Sequence, residues 1–145
     1  MGDISKDINS KFPNNMVKAL LNIIYTANWI SSQKNAFFKP YGISPQQYNI
    51  LRILKGADEA IKVQIIKDRM IERSPNATRL MDKLCAKQLI ERIACPDDRR
   101  VVHIQITKNG LVLLEDISKH MKDDYINNLT EEEAGILSDL LDKIR

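Results

Sequence analysis

Long apolar runs, cysteines and glycines are all scarce in this chain. No run approaches the roughly 18 to 20 apolar residues that a membrane-spanning helix needs, and only two cysteines and five glycines occur among 145 residues. These scarcities argue against a membrane protein, a disulfide-bonded scaffold and a fibrous repeat. The first fifteen residues contain acidic side chains and lack the apolar core of a targeting signal. We therefore expect one globular domain, residues 1–145, in the cytoplasm and with free thiols.

Signatures of catalysis are scarce as well. The two histidines, His103 and His120, belong to no recognisable metal-ligand motif, and the glycines form neither a phosphate-binding loop nor a nucleophile elbow. The acidic run at 131–133 fits the first turn of a helix, where negative charge is favourable. The sequence thus predicts no enzyme, no metal site and no cofactor.

Positive charge is concentrated in the middle of the chain. Residues 61–110 hold eleven Lys/Arg and six Asp/Glu, a net charge of +5, whereas residues 111–145 have a net charge of −5. This distribution is typical of a protein that presents one face to a polyanion, although a mixed solvated surface produces the same imbalance. Motifs have to decide between these two interpretations.

Helix signals begin early in the chain. Apolar residues recur at spacings of three and four from Asn14 onwards, which predicts a long amphipathic helix that ends before Pro40. Ser44-Pro45 begins a second helix, because the Ser44 hydroxyl can accept from the N3 amide and Gln47 completes a capping box.

Two shorter helices follow. One is predicted at residues 63–69, and another begins at Ser74-Pro75, which repeats the Ser-Pro pattern of the preceding start signal. The residues that this fourth helix buries lie at helical spacing: Ala77, Leu80, Met81 and Leu84. Its opposite face is polar.

Beyond residue 88 the apolar period changes to two. Residues 102–106 alternate as a half-buried strand does, residues 89–94 form an antiparallel mate, and residues 95–100 supply turn chemistry. An isolated two-stranded hairpin is barely stable, so we expect it to pack on the helices before it.

Two more helices complete the predicted order. Thr107 is expected to cap a helix that runs through Tyr125, and Thr130 with Glu133 forms a second capping box. The last helix is predicted to point four apolar residues inward: Leu137, Leu140, Leu141 and Ile144. The predicted fold class is therefore mainly α with a small β-hairpin.

Two short helices followed by a hairpin with arginines at its tip make a winged helix-turn-helix. The major groove of DNA admits one helix, and an arginine at a hairpin tip fits a narrow minor groove. Exposed polar residues are otherwise often only solvated, and arginines in a hairpin often protect its edge. The residues predicted to bind double-stranded DNA are Ser74, Asn76, Thr78, Arg79 and Lys83 on the helix and Arg99 and Arg100 on the wing, with Asp98 orienting an arginine.

The stretch from Ser74 to Leu84, then Leu89-Ile-Glu-Arg92, Asp98-Arg-Arg100 and Ile106-Thr-Lys-Asn-Gly110, resembles the MarR family of bacterial transcriptional regulators. The resemblance implies a winged helix-turn-helix at about 44–106, in which the fourth helix is the recognition helix. It also implies dimerisation helices at about 14–39 and 111–145. Two positions depart from the family pattern: Gln88 replaces a common glycine after the recognition helix, and Cys95 stands where the wing often begins with Asp. We expect the turn at Gln88 to differ in detail, because a left-handed conformation favours glycine.

A homodimer also has support from the residues. The first helix carries more apolar residues than one stripe needs, and so small a core can hardly cover both that helix and the last one. The alternative is a broad monomer core. A two-fold dimer places two recognition helices about 34 Å apart and predicts a pseudo-palindromic operator.

The sequence leaves the mode of regulation open. The family resemblance implies a repressor that a small aromatic effector releases, with Tyr25, Trp29 and Tyr48 as candidate pocket residues, although aromatics at such positions are more often core. One alternative is a thiol-based redox regulator that uses Cys95, beside the basic wing. Another is a winged helix that contacts only protein.

Overall fold

The computed structural model describes residues 2–122 and 124–145, and these form helices around a small sheet. The helices are α1 (Ile4–Asp7), α2 (Asn15–Phe38), α3 (Pro45–Ala57), α4 (Val63–Arg69), α5 (Ala77–Ala86), α6 (Lys108–His120) and α7 (Glu131–Asp142). The strands are β1 (Ile61–Lys62), β2 (Ile90–Ala94) and β3 (Val102–Ile106). Short 3-10 turns lie at Lys39–Tyr41 and Asp124–Ile126. The predicted mainly helical winged fold is confirmed.

Capping side chains explain where most helices begin. The Asn14 carboxamide oxygen accepts from Val17 N at 3.0 Å at the start of α2. Both capping boxes form as predicted, at Ser44 with Gln47 and at Thr130 with Glu133. Thr107 caps α6 by accepting from Gly110 N at 3.1 Å.

Two predicted helix boundaries are wrong. α5 begins at Ala77 rather than after Ser74, because Ser74 Oγ accepts from Asn76 N at 3.1 Å and so holds Ser74-Pro75 in the turn. α6 ends at His120 rather than continuing to Tyr125, since Met121 adopts an extended C-cap conformation. The first error came from the Ser-Pro start signal, and the second from apolar spacing that continued past the end of α6.

The sheet has three strands, not the predicted two. β1 pairs antiparallel with β3 through Ile61 and Ile104, and β3 pairs with β2 along five residues in the order β1-β3-β2. A strand of two residues is too short to carry a period-two pattern, so the sequence could not reveal it. β1 thus adds a third strand to the hairpin, which makes the sheet more stable than two strands alone.

One apolar core joins the helices to the sheet. The largest fully buried side chains are Phe38, Ile50, Leu51, Leu54, Ile66, Met81, Leu84, Ile90, Ile104 and Ile117. They come from α2 to α6 and from β2 and β3, so α5 and the hairpin share a single support.

α7 contributes nothing to the set of fully buried side chains in the single chain. The prediction that its apolar residues point inward is wrong here: Leu137, Leu140 and Ile144 are exposed and Leu141 is half-buried. Most of α2 is exposed in the same way, and only Phe38 is buried. No helix among the described residues is long and apolar enough to cross a membrane.

The turn after α5 keeps a left-handed residue although glycine is missing. Gln88 has φ +60°, and its amide donates to Cys85 O at 2.9 Å while Leu89 N donates to Leu84 O at 3.0 Å. The expectation of a different turn is therefore wrong in this respect. Thr107 Oγ1 donates to Gln88 O at 2.7 Å and helps to hold this conformation.

Candidate nucleic-acid interface

α5 presents opposite faces of opposite character. Ala77, Met81 and Leu84 are buried in the core. The exposed side of α5 holds Thr78, Arg79 and Lys83, which are predicted to bind DNA, and the N-cap residue Asn76, also predicted to bind DNA, is exposed beside them. Among the described residues, neither Arg79 nor Lys83 forms an ion pair within 4.0 Å. Both cations are thus available to an external anion.

Ser74 lies at the turn into α5 and is half-buried. Its oxygen is engaged by the Asn76 amide, but a hydroxyl also has a proton to donate. The Ser74 hydroxyl can therefore still donate, and its contact with a phosphate stays a prediction. The predicted role of Ser74 as the cap of α5 is wrong, since the N-cap is Asn76.

A cleft between α4 and the start of α5 adds cations that sequence reasoning missed. Lys67 and Arg73 line it together with Gln64, Asp68 and Ser74. The first helix of a helix-turn-helix crosses the DNA backbone, where such cations meet phosphates. The net charge of residues 61–110 was the signal that could have identified them.

The loop between β2 and β3 projects its arginines into solvent. Cys95 N donates to Val101 O at 3.1 Å and Val101 N donates to Asp98 O at 3.0 Å, which closes the loop. Asp98 Oδ1 accepts from Arg100 N at 3.0 Å and lies 3.4 Å from Arg100 Nε. The Arg100 side chain is nevertheless 94% exposed, and Arg99 is exposed as well. The contact that an orienting role for Asp98 requires is present, and the role itself stays a prediction.

An ion pair that the sequence did not reveal joins α5 to the wing. The Arg92 guanidinium on β2 donates to the Asp82 carboxylate on α5. This hydrogen bond raises the pKa of Arg92 further above its ordinary value. Asp82 lies on an exposed position of the helix, so its pairing with Arg92 offsets a negative charge that a DNA backbone would repel.

The three candidate pocket aromatics have separate contacts. Tyr48 packs on Phe38 at a ring distance of 4.7 Å, next to the core, while Trp29 meets Tyr125 edge-on at 6.2 Å. Tyr25 is 40% and Trp29 47% exposed. Interpretation as core is therefore wrong for Tyr25 and Trp29 in the single chain. An effector pocket that includes them stays a prediction.

The remaining reactive side chains are dispersed. Cys85 and Cys95 are free and half-buried, and a redox role of Cys95 stays a prediction. His120 Nδ1 lies 2.9 Å from Asp116 O and 3.6 Å from Asp116 Oδ1. In the part of the chain that the structure describes, no three His, Cys, Asp or Glu residues are arranged to hold a metal ion.

Comparison with known proteins gives consistent similarities. Residues 43–102 match the model of the MarR family. The chain is 33% identical to the HTH-type transcriptional regulator MhqR of Bacillus subtilis over 118 residues. This aligned region covers 79% of this chain and 81% of that protein.

Solved structures extend the similarity over both flanking regions. A mutant MarR from Escherichia coli complexed with operator DNA matches with a TM-score of 0.76 and 25% identity, covering 92% of this chain and 99% of that one. AbsC, a MarR family transcriptional regulator from Streptomyces coelicolor, matches with a TM-score of 0.81 over 93% of this chain and 95% of its own. At 17% identity the likeness to AbsC concerns the fold alone.

Proposed function

The chain belongs to the MarR family of transcription regulators, which bind DNA and are not enzymes, and on this premise we propose that it acts in the cytoplasm as a sequence-specific repressor. Two copies would bind one pseudo-palindromic operator. Each copy would insert α5 into a major groove and place its wing along the neighbouring minor groove. A small aromatic effector would release the DNA.

The observation that carries this proposal is the exposed cationic face of α5 next to the wing. Arg79 and Lys83 lie on the side of α5 that the core leaves free, and Arg99 and Arg100 are exposed on the adjacent loop. Because α5 and the wing are held by one apolar core, α5 can enter a major groove while the wing lies along the neighbouring minor groove. A winged helix that contacts only protein has less need for arginines on both elements.

Exposed apolar side chains support a homodimer. Met16 and Leu20 on α2 are 82% and 58% exposed, and Leu140 on α7 is 55% exposed. Apolar surface of this extent is typical of an interface between chains. We assign residues 14–39 and 111–145 to dimerisation and residues 44–106 to the winged helix-turn-helix. The operator-bound MarR of Escherichia coli is a relative that holds DNA on this fold.

Release of DNA by an effector requires two states of the dimer, one that can bind DNA and one that cannot. A small molecule removes the protein from DNA only if it binds the incompetent spacing of the recognition helices more tightly than the competent spacing. Tyr25 and Trp29 expose aromatic surface on α2, which favours a site near the dimer helices.

Selection of genomic fragments with the purified protein tests the proposal. We expect recovered fragments to share two half-sites, and the logarithm of the affinity to fall with the logarithm of salt with a slope near −0.9 for each neutralised phosphate. Arg100→Ala should lower affinity about tenfold, most where a narrow A·T-rich minor groove flanks the half-site.

Lys11→Ala is the matched control, since it removes the same charge from an exposed residue that lies outside both the winged region and the dimerisation helices. It should leave affinity nearly unchanged. Equal binding by Arg100→Ala and the parent protein would refute the wing assignment. Failure of the parent protein to bind any duplex at low salt would refute the proposed function as a whole.

A further inference from the structure

A short segment at the start of α3 makes polar contacts with the turn before α5, with α5 itself and with the residue that follows α5. We call residues 42–49 the coupling segment. It contacts the turn before α5 and the helix itself: Asn49 Oδ1 accepts from Ile71 N at 3.0 Å, and Gln46 Nε2 donates to Glu72 Oε2 at 2.8 Å.

The contacts with α5 come from two points of the same segment. Gln47 Nε2 donates to Leu80 O, in the middle of α5, at 3.3 Å. Lys87 Nζ, directly after the last residue of α5, donates to Gly42 O. The recognition helix is thus joined to one segment near its centre and at its end.

Gln47 is the residue whose burial needs an explanation. It is 5% exposed, and it is the one buried polar side chain among the described residues. Burying an amide is unfavourable unless both of its ends are bonded. Gln47 meets this condition, because Oε1 accepts from Ser44 N at 2.9 Å while Nε2 reaches Leu80 O.

A purely apolar side chain at position 47 could fill the same space, but it would not fix the orientation of α5. Apolar contacts are non-directional, whereas a hydrogen bond fixes distance and angle. The amide of Gln47 therefore constrains α5 in a way that the neighbouring Ile50 and Leu51 of the core cannot.

One short turn joins the coupling segment to α2. Phe38, the last residue of α2, is 1% exposed, and the turn Lys39–Tyr41 leads into Gly42 with φ +70°. Since α2 is the proposed dimerisation helix, hydrogen bonds from this segment connect the dimer frame to the recognition helix.

We propose that Gln47 and Lys87 are positioning residues that hold α5 at a fixed orientation relative to α2, and thereby set the distance between the two recognition helices of a dimer. This inference rests on the proposed function. It assigns a selectivity for the spacing between half-sites to residues that themselves touch no DNA.

Gln47→Met and Ser44→Ala form a matched pair for the test. Each removes one hydrogen bond of the same capping box, but only Gln47→Met also removes the bond to Leu80 O. Binding is measured on three kinds of duplex: the selected operator, operators with one or two base pairs added or removed between half-sites, and a single half-site at low salt.

We expect Gln47→Met to bind the selected operator about five- to tenfold more weakly, as the loss of the bond to Leu80 O in each protomer implies. It should also discriminate less between spacings, while affinity for the single half-site changes less than about twofold. Ser44→Ala should keep the spacing preference of the parent protein.

Equal weakening on half-site and operator would overturn the inference, because Gln47 would then act on α5 alone. An unchanged spacing preference would overturn it as well. In both cases the parent protein still binds the operator, so the proposed function survives. A parent protein that binds no duplex would instead overturn the proposed function and this inference together.

Lys87→Met provides a second variant that does not disturb the core, since Lys87 is exposed. If Lys87 positions α5, this variant loses spacing preference while its salt slope stays that of the parent protein. If Lys87 binds phosphate, the slope becomes shallower by about 0.9 for each lost contact and spacing preference persists, which would overturn the role of Lys87.

Discussion

The winged region and the flanking helices use their apolar residues differently. Ile50, Leu54, Ile66 and Met81 are almost completely buried, whereas the apolar residues of α7 are half-buried or exposed. Helical spacing predicted Met81 of α5 and the apolar residues of the last helix alike as inward-facing. The difference teaches that periodicity identifies the apolar face of a helix but not the molecule that covers it.

The largest effect is expected from a charge placed on the exposed apolar face of a flanking helix, which tests whether a second copy covers that face. Leu20→Asp should convert the dimer to monomers, because an aspartate in an apolar interface loses its hydration without gaining a partner. Operator affinity should fall about 100-fold or more, since two linked half-sites bind far more tightly than one. Sedimentation measures the mass of the protein, and circular dichroism should report an intact winged region.

Ile71→Asp is the control for Leu20→Asp. Ile71 is 90% exposed, yet it lies in the turn of the winged region. Its replacement should leave the mass of the dimer unchanged. A dimeric Leu20→Asp protein would contradict the assignment of α2 to the interface.

Packing of α6 against the sheet of the winged region offers the next largest effect. At Gly110 an added Cβ would lie 2.6 Å from Ile106 Cγ1 and even closer to the carbonyl oxygen of Leu89. Gly110→Ala should therefore destabilise the protein by about 2 to 3 kcal/mol through overpacking between α6 and the sheet. Urea unfolding measures this change.

Gly56→Ala is the matched substitution for Gly110→Ala. An added Cβ at Gly56 meets nothing within 4 Å. Because alanine is the better helix former, this variant should gain up to about 1 kcal/mol. Equal stabilities of the two variants would show that the close approach at Gly110 relaxes freely.

Local signals predicted much of the winged region correctly. The capping box at Ser44 and Gln47 located α3, and alternation located β3, because both signals depend on neighbouring residues. What the sequence could not reveal is set by tertiary contact: the two-residue β1, the bond from Gln47 to Leu80 O, and the pairing of Arg92 with Asp82. The predicted DNA contacts lie on exposed elements, yet their roles depend on a partner that only experiment can add.

The left-handed turn at the end of α5 provides a smaller effect of opposite sign. Gln88 adopts φ +60°, which is unfavourable for a residue with a Cβ. Gln88→Gly should stabilise the protein by about 0.5 to 1 kcal/mol, the relief of this conformation minus the entropy that glycine gains when unfolded. The midpoint of urea unfolding should rise.

Gln64→Gly gives the reference for Gln88→Gly. Gln64 lies in the first turn of α4 and donates to Asp68 Oδ1 at 2.8 Å, so Gln64→Gly should lower stability by about 1 kcal/mol through the low helix propensity of glycine and the loss of this bond. The two substitutions should therefore shift the midpoint in opposite directions. A downward shift for both would mean that the Gln88 side chain makes a larger contribution than its backbone conformation.

The cap of α7 yields the smallest effect and brings the comparison back to the flanking helices. Hydrogen bonds from Thr130 N and Oγ1 hold the pKa of Glu133 below its ordinary value. A carboxylate with a lowered folded pKa contributes stability above its unfolded pKa and loses that contribution as pH falls through the folded pKa. Glu133→Gln keeps an acceptor for the Thr130 amide but does not titrate, so thermal unfolding should show the parent protein losing stability relative to this variant as the solution is acidified. If the stabilities of the parent protein and of Glu133→Gln changed equally with pH down to the most acidic conditions, the cap of α7 would not be formed in solution. The assignment of the exposed apolar face of α7 to a dimer interface would then lose the ordered helix on which it depends.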